Sequence, residues 1–162
     1  METVTETWLP IPGYEGRYDV SDQGRVRSWL PCRGMAIPRV LRPGINRGGY
    51  PLVVLYFNGK TTREVHRLVS LAFIGPLPEG QHTRHLNGNP ANNALSNLVY
   101  GTISENNLDC VRHGTHHQTA KTHCPQGHPY NDANTYRDPH RNNRLCRVCT
   151  RERKREHRRA TR

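Results

Sequence analysis

The sequence predicts an α+β protein assembled from small modules, and three observations lead there. Only 33% of the 162 residues are apolar, while Pro contributes 12 and Gly 14, which is too few core-forming side chains and too many turns for one large interior. Through residue 115, segments of strand periodicity alternate with two short helical patterns. The last third abandons both patterns and groups Cys124, His128, Cys146 and Cys149. The boundaries drawn on this basis are 6–55 for a β-rich module, 56–115 for a mixed module and 120–162 for a metal-stabilised module ending in a basic helix.

Charge narrows the function. A formal charge of +11 and a pI near 10.0 imply an anionic partner, and no apolar run approaches a membrane span, so nucleic acid is the first candidate and a membrane is excluded. Residues 1–60 carry 8 basic and 5 acidic side chains, 61–115 carry 4 and 4, and 116–162 carry 12 and 4. A neutral centre between basic flanks is the pattern of a cutting module held by separate grips, although a solvated basic tail also accounts for the last segment. The Met1 to Leu9 segment is polar and shows no signal peptide. Five cysteines, an odd number, argue against a secreted disulfide framework, so a reducing, cytoplasmic compartment is expected.

Short strands are expected around Arg17 to Val20 and Arg25 to Trp29, on either side of an Asp22-Gln23-Gly24 turn. Pro51 to Phe57 is the most apolar run, and Asn58-Gly59 behind it suits a type I′ hairpin turn, whose two central residues need positive φ; the return strand is Thr61 to Val65. Leu68, Val69, Leu71, Ala72 and Phe73 predict a buried helix from His66 to Phe73, stopped by Gly75-Pro76 and Pro78. A strand over Gln81 to Leu86, a turn at Asn87 to Pro90 and a strand over Leu98 to Tyr100 follow. A helix from Glu105 to His113 completes the module, capped by Thr102 or Ser104 and closed by Gly114.

The chemistry concentrates between Arg84 and Asn107, where His85 stands beside a turn and a block of amides precedes a helix carrying more amides. Histidine is the side chain best suited to take a proton from water near neutral pH, and Asn oxygens are hard neutral ligands for a small divalent cation, so the segment points to metal-assisted phosphodiester cleavage. Taken singly, Asn87, Asn89, Asn92 and Asn93 are ordinary turn formers and His66 is a structural histidine. Trp8 and Trp29 suit packing of the first module, whereas Arg25 and Arg27, alternating on one strand face, suit a phosphate backbone.

The pattern His-x-x-Gly-Asn-x-x-x-Asn-x-x-x-Asn-Leu is met by His85, Gly88, Asn89, Asn93, Asn97 and Leu98 and followed by Glu105-Asn106. It resembles the HNH nucleases, in particular the phage and mobile-intron branch. His66-Arg-Leu-Val-x-Leu-Ala-Phe73 resembles the element preceding the motif there, and Trp8 to Ser28 resembles the nuclease-associated DNA-binding motif of homing-type enzymes. The resemblance implies a ββα-metal catalytic core acting on double-stranded DNA, with His85 as general base, Asn97 pinning the loop that orients it, and Asn106 binding a catalytic Mg2+ or Mn2+. It also implies phage or mobile-element origin, hence the host cytoplasm. A binding-only protein on the same scaffold and an accessory factor beside phage packaging proteins are the other classes of function.

Many members of that family carry an acidic ligand just before the histidine, where this chain has Arg84. Arginine cannot coordinate a cation, so Asp109 or His113, three and seven residues past Asn106, are the candidates to complete the site, with Arg84 free to clamp the DNA strand. Cys124-x3-His128 and Cys146-x2-Cys149 give four soft or borderline ligands in two close pairs, as a structural Zn2+ requires. Cys32 and Cys110 fall outside both pairs. Beyond Cys149 a basic helix is expected from Thr150 to Arg162, with Arg151, Arg153, Lys154, Arg155, Arg158 and Arg159 gaining DNA affinity by counterion release.

Overall fold

A computed structural model describes residues 5–139 and 143–161. Residues 1–4 of the polar opening segment and Arg162 at the end of the expected basic helix lie outside the described residues. The chain forms two compact units, Met1–His113 and Gly114–Arg162.

The first unit opens with a four-stranded antiparallel sheet, β1 (Trp8–Pro10), β2 (Tyr18–Ser21), β3 (Val26–Ser28) and β4 (Arg39–Val40), in that spatial order. A three-stranded sheet follows, β5 (Gly44–Ile45), β6 (Pro51–Tyr56) and β7 (Lys60–Glu64). Along β6, Pro51, Val53 and Leu55 are buried and alternate with more exposed neighbours, the period of a strand with one face on a core. Asn58 and Gly59 turn the hairpin with positive φ of 50° and 121°, but Tyr56 pairs with Lys60, so Phe57, Asn58 and Gly59 form a three-residue connection and not the two-residue type I′ turn expected. The next element is the helix α1 (Val65–Phe73), which lies against both sheets and the elements that follow.

The hairpin β8 (Gln81–His85) and β9 (Leu98–Thr102) pairs Gln81 with Thr102 and His85 with Leu98, and α2 (Ile103–Arg112) packs back on both strands. Thr102 caps α2 with a full capping box: its hydroxyl accepts from the Glu105 N–H at 3.3 Å, and the Glu105 carboxylate accepts from the Thr102 N–H at 2.7 Å.

One interior serves the whole unit. Ile11, Tyr18, Val20 and Val26 from the N-terminal sheet pack in a single cluster with Val53, Leu55, Val65, Leu68, Val69 and Leu98. The boundary drawn between residues 55 and 56 therefore falls inside β6. Neither half has enough large apolar side chains to close a core by itself, so the two expected modules share one.

The second unit holds an antiparallel hairpin, β10 (Thr135–Arg137) with β11 (Arg144–Cys146), and the helix α3 (Arg147–Ala160). The helix starts three residues before the expected Thr150, so Cys146 is its N-cap residue and Cys149 lies in its first turn. Cys124, Asn134 and Cys146 are the only described residues of this unit that are buried, which is far short of an apolar core. No helix among the described residues is long and apolar enough to cross a membrane.

Leu55 is fully buried at the centre of the shared core, so Leu55→Ala is expected to cost the first unit about 2–5 kcal/mol of stability, measurable by urea denaturation.

Candidate active site and metal centre

Twelve residues separate β8 from β9, and apart from Leu95, which packs against the core, they are tied together by amides. Asn97, buried in a short 3-10 turn ahead of β9, donates from Nδ2 to the Asn92 carbonyl at 2.8 Å and to Asn87 Oδ1 at 3.0 Å. Its Oδ1 accepts from the Asn87 N–H at 3.0 Å, so both ends of the loop are tied to one carboxamide. Asn87, Asn89 and Asn92 each accept from a backbone N–H two residues on, the local turn bond expected of their residue type.

His85 ends β8 at the foot of this loop and is 9% exposed. Its Nε2 lies 3.0 Å from Oδ1 of Asn93, itself only 5% exposed. Asn93 is thus distinct from the other loop amides, a role that residue type and spacing alone did not reveal. On its other sides the His85 ring meets His66 at 5.1 Å and Tyr50 at 5.8 Å between centroids. Nothing in the sequence pattern singles out Tyr50, because it contributes only through tertiary packing.

His66 is buried on α1, and burial, with the electrostatic influence of the neighbouring His85 and Arg67 side chains adding to it, lowers its pKa from 6.5 to about 4. Glu64 Oε2 stands 3.7 Å from His66 Nε2, yet that carboxylate also serves Arg67 at 3.0 Å and Asn46 at 3.2 Å, and desolvation prevails. The ring is neutral at physiological pH, in keeping with a structural histidine.

Arg84, one residue before His85 and therefore on the opposite face of β8, points toward α2. Its Nη1 is 3.5 Å from Asp109 Oδ2 and 3.8 Å from Glu105 Oε2, and only 12% of its side chain is exposed. Asp109 takes a second guanidinium, Arg112, at 3.2 Å on Oδ1. Both carboxylate oxygens thus face a guanidinium, the buried one of Arg84 and the exposed one of Arg112, which opposes a metal ion at the same atoms, and Arg84 is held in an ion pair rather than extended as a free clamp. Asn106 is exposed on α2. His113, at the C-cap of α2, lies over the turn after His85: a Cβ on Gly88 would fall 2.5 Å from His113 Nδ1.

The two N-terminal arginines are also engaged. Arg27 donates from Nε and Nη2 to Asp19 Oδ2, each at 2.8 Å, and its guanidinium sits 4.5 Å from the Trp8 ring and 5.1 Å from the Trp29 ring. The Trp29 Nε1–H also donates to Asp19, at 2.8 Å. Arg25 pairs with Glu6 and keeps more than half of its side chain in solvent.

In the second unit the ligand atoms of Cys124, His128, Cys146 and Cys149 all lie within 4.8 Å of one another. His128 presents Nδ1, 3.5 Å from Cys124 Sγ and 3.2 Å from Cys149 Sγ. Burial works to raise the Cys146 thiol, but the Cys149 N–H, the Asn134 amide and the neighbouring thiols bring it down to about 6. Burial and the adjacent sulfurs push Cys149 up to about 12. Three sulfurs and an imidazole nitrogen gathered this closely form a donor set that fits a tetrahedral metal ion. The buried Asn134 organises the surroundings, donating to the Pro129 carbonyl at 2.7 Å and accepting from the Val148 N–H at 3.1 Å. Among the described residues this is the one group of three or more His, Cys, Asp or Glu suited to a metal. No disulfide involves any of the five cysteines. Arg151, Arg153, Lys154, Arg155, Arg158 and Arg159 are all exposed on α3.

Comparison with known proteins agrees with this anatomy. Residues 63–108 match the HNH endonuclease family model and residues 6–56 match the NUMOD4 motif. The chain is 36% identical over 109 residues to DNA endonuclease I-HmuI of Bacillus phage SP01, covering 67% of this chain and 59% of that protein. It is 33% identical over 92 residues to the SPbeta prophage-derived putative HNH homing endonuclease YosQ of Bacillus subtilis, covering 53% of each. A solved structure described as DNA binding and cleavage by the HNH homing endonuclease I-HmuI superposes with a TM-score of 0.58 at 34% identity, covering 67% of this chain and 60% of that one. The chain thus spans between half and three fifths of the length of these relatives.

Because His66 binds its proton less readily folded than unfolded, the stability it confers is fully present above about pH 6.5 and is lost as pH falls through about 4. Denaturant melts across that window are expected to show a steeper acid loss for the parent than for His66→Gln.

Proposed function

The chain belongs among the HNH endonucleases, and on that premise we propose that it is a divalent-metal-dependent DNA endonuclease of phage or mobile-element type, hydrolysing phosphodiester bonds of double-stranded DNA in the host cytoplasm. The observation that carries the reading is the buried His85 at the foot of a loop whose two ends are tied by Asn97, with α2 packed behind the hairpin.

In this reading neutral His85 takes the proton of the attacking water, and Asn97 acts through the loop to aim the imidazole. Asn106 holds Mg2+ or Mn2+, with His113, the substrate phosphate and waters as the remaining donors; the two guanidiniums on Asp109 argue for leaving that residue out. A divalent ion there would supply charge stabilisation to the phosphorane and the departing 3′-oxygen, giving a 5′-phosphate and a 3′-hydroxyl. Arg84, fixed by Asp109 and Glu105, adds positive charge beside the phosphate. Outside the catalytic segment, the exposed cations of α3 grip the DNA backbone without reading sequence, and Arg25, the more exposed of the two N-terminal arginines, is the better placed of that pair to do so. Zn2+ on Cys124, His128, Cys146 and Cys149 replaces the missing apolar core of the second unit.

Arg84 also favours a second reading, a protein that binds DNA on this scaffold without cutting it, and one assay separates the two. Supercoiled plasmid incubated with Mg2+ or Mn2+ is expected to be nicked or linearised, and His85→Ala to slow cutting by about 10²–10⁴-fold. Equal cutting by both proteins removes His85 from the mechanism, and no cutting by the parent with any divalent metal supports the binding-only reading. Native mass spectrometry is expected to find one zinc per chain, lost in Cys146→Ser together with the α3 helical signal; stoichiometric zinc retained by that variant refutes the ligand set.

A further inference from the structure

The N-terminal sheet reaches the catalytic loop through its first hairpin turn. The turn joining β2 to β3, Asp22-Gln23-Gly24, lies against residues 93–95 of the loop: the Leu95 N–H donates to the Asp22 carbonyl at 2.7 Å, a bond of strand-ladder quality. Gly24, with φ of +79°, sits so close to Asn93 that a Cβ there would fall 2.9 Å from that residue's carbonyl carbon, its oxygen and its own Cβ. The turn is itself fixed, Gly24 donating to the Ser21 carbonyl at 3.0 Å and the Arg25 N–H to Ser21 Oγ at 2.9 Å. Asn93 is therefore clasped from behind, and its carboxamide faces His85.

A carboxamide oxygen accepts and never donates. With Oδ1 of Asn93 at 3.0 Å, the proton of neutral His85 resides on Nε2, which leaves Nδ1 as the basic nitrogen. The titratable groups facing the ring from its other sides are His66, from α1, and Tyr50, from the segment before β6.

We propose that Asn93 is a positioning residue that selects the Nε2-protonated tautomer of His85, and that the Asp22-Gln23-Gly24 turn is the buttress that keeps Asn93 in place. The inference rests on the general-base reading of His85 for its catalytic meaning, but its structural content stands apart from cleavage. The N-terminal segment then has a task beyond any contact with DNA, since its first hairpin turn helps assemble the catalytic centre in the following domain. An imidazole protonated on the wrong nitrogen has no lone pair to offer the attacking water, however well the loop is shaped.

The test uses the full chain labelled with 15N-histidine, the His85 signals being those absent from His85→Ala. The parent is expected to show His85 as the Nε2–H tautomer. Asn93→Leu, branched at the same carbon and without an acceptor, should lose that preference and lower kcat by at least about tenfold with KM little changed. Asn93→Asp keeps an acceptor, so it should retain the tautomer and raise the His85 pKa in the same NMR titration, a response that a merely space-filling residue would not give. Gly24→Ala should disturb the tautomer and lower kcat while leaving the Kd for DNA unchanged. Should Asn93→Leu not fold, the Asp variant decides, and an unmoved His85 pKa there overturns the proposal. An unchanged tautomer in folded Asn93→Leu overturns it as well, as does a Gly24→Ala protein that binds DNA less tightly but keeps the parent tautomer and kcat. Because the NMR signal needs no turnover, a protein that never cuts DNA would refute the endonuclease reading and still reveal whether Asn93 sets the tautomer.

Discussion

Twelve residues with one apolar anchor, Leu95, have to hold one shape at the edge of a two-stranded hairpin, and the Asn97 carboxamide is the constraint that makes this possible. A carboxamide is suited to the task because it offers a donor and an acceptor in one rigid plane, so a single side chain can grip two stretches of backbone. Remove that grip and the entropy of a long surface loop is released, with His85 attached to its foot. The surrounding elements serve the same end: α1 brings His66 against the histidine ring, and α2, anchored by the Thr102 capping box, closes the hairpin from behind.

Much of this was legible from residue order alone. The hairpin at Asn58-Gly59, the strand from Pro51 and the helix ending near Phe73 follow from local chemistry: turn residues that tolerate positive φ, period-two alternation, and a helix stop at Gly75-Pro76. The four-residue metal cluster was legible for the same reason, since ligand spacing is a local property. What escaped was tertiary. Asn93 stands in the motif, but its residue type and spacing assign it no more than a turn role until the fold turns its side chain inward against His85. Asp109 stood on a plausible helical face for a cation, but the sequence does not reveal that Arg84 and Arg112 reach it first. The boundary at residue 55 lies one residue from the end of the NUMOD4 match at 56, but residue order does not reveal that the strand crossing it belongs to a core shared by both modules.

The two units achieve order by opposite means. In the first, ten buried apolar side chains drawn from both halves of the unit make a common interior. In the second, buried sulfur and one buried asparagine stand where hydrophobes would be, and the helix that displays the cations begins at a cysteine of the cluster. The basic surface of α3 is thus mechanically continuous with the cluster, so order at one end of that helix governs how its charges are presented at the other.

The common interior of the first unit has a bearing on how such genes can be rearranged. If recombination exchanged the N-terminal sheet for an unrelated segment at residue 55, it would strip Ile11, Tyr18, Val20 and Val26 from the packing of Val53, Leu55 and Val69. The hybrid would meet solvent with half an oil drop. A graft of the N-terminal sheet would therefore have to bring side chains that fill the same places against Val53, Leu55 and Val69.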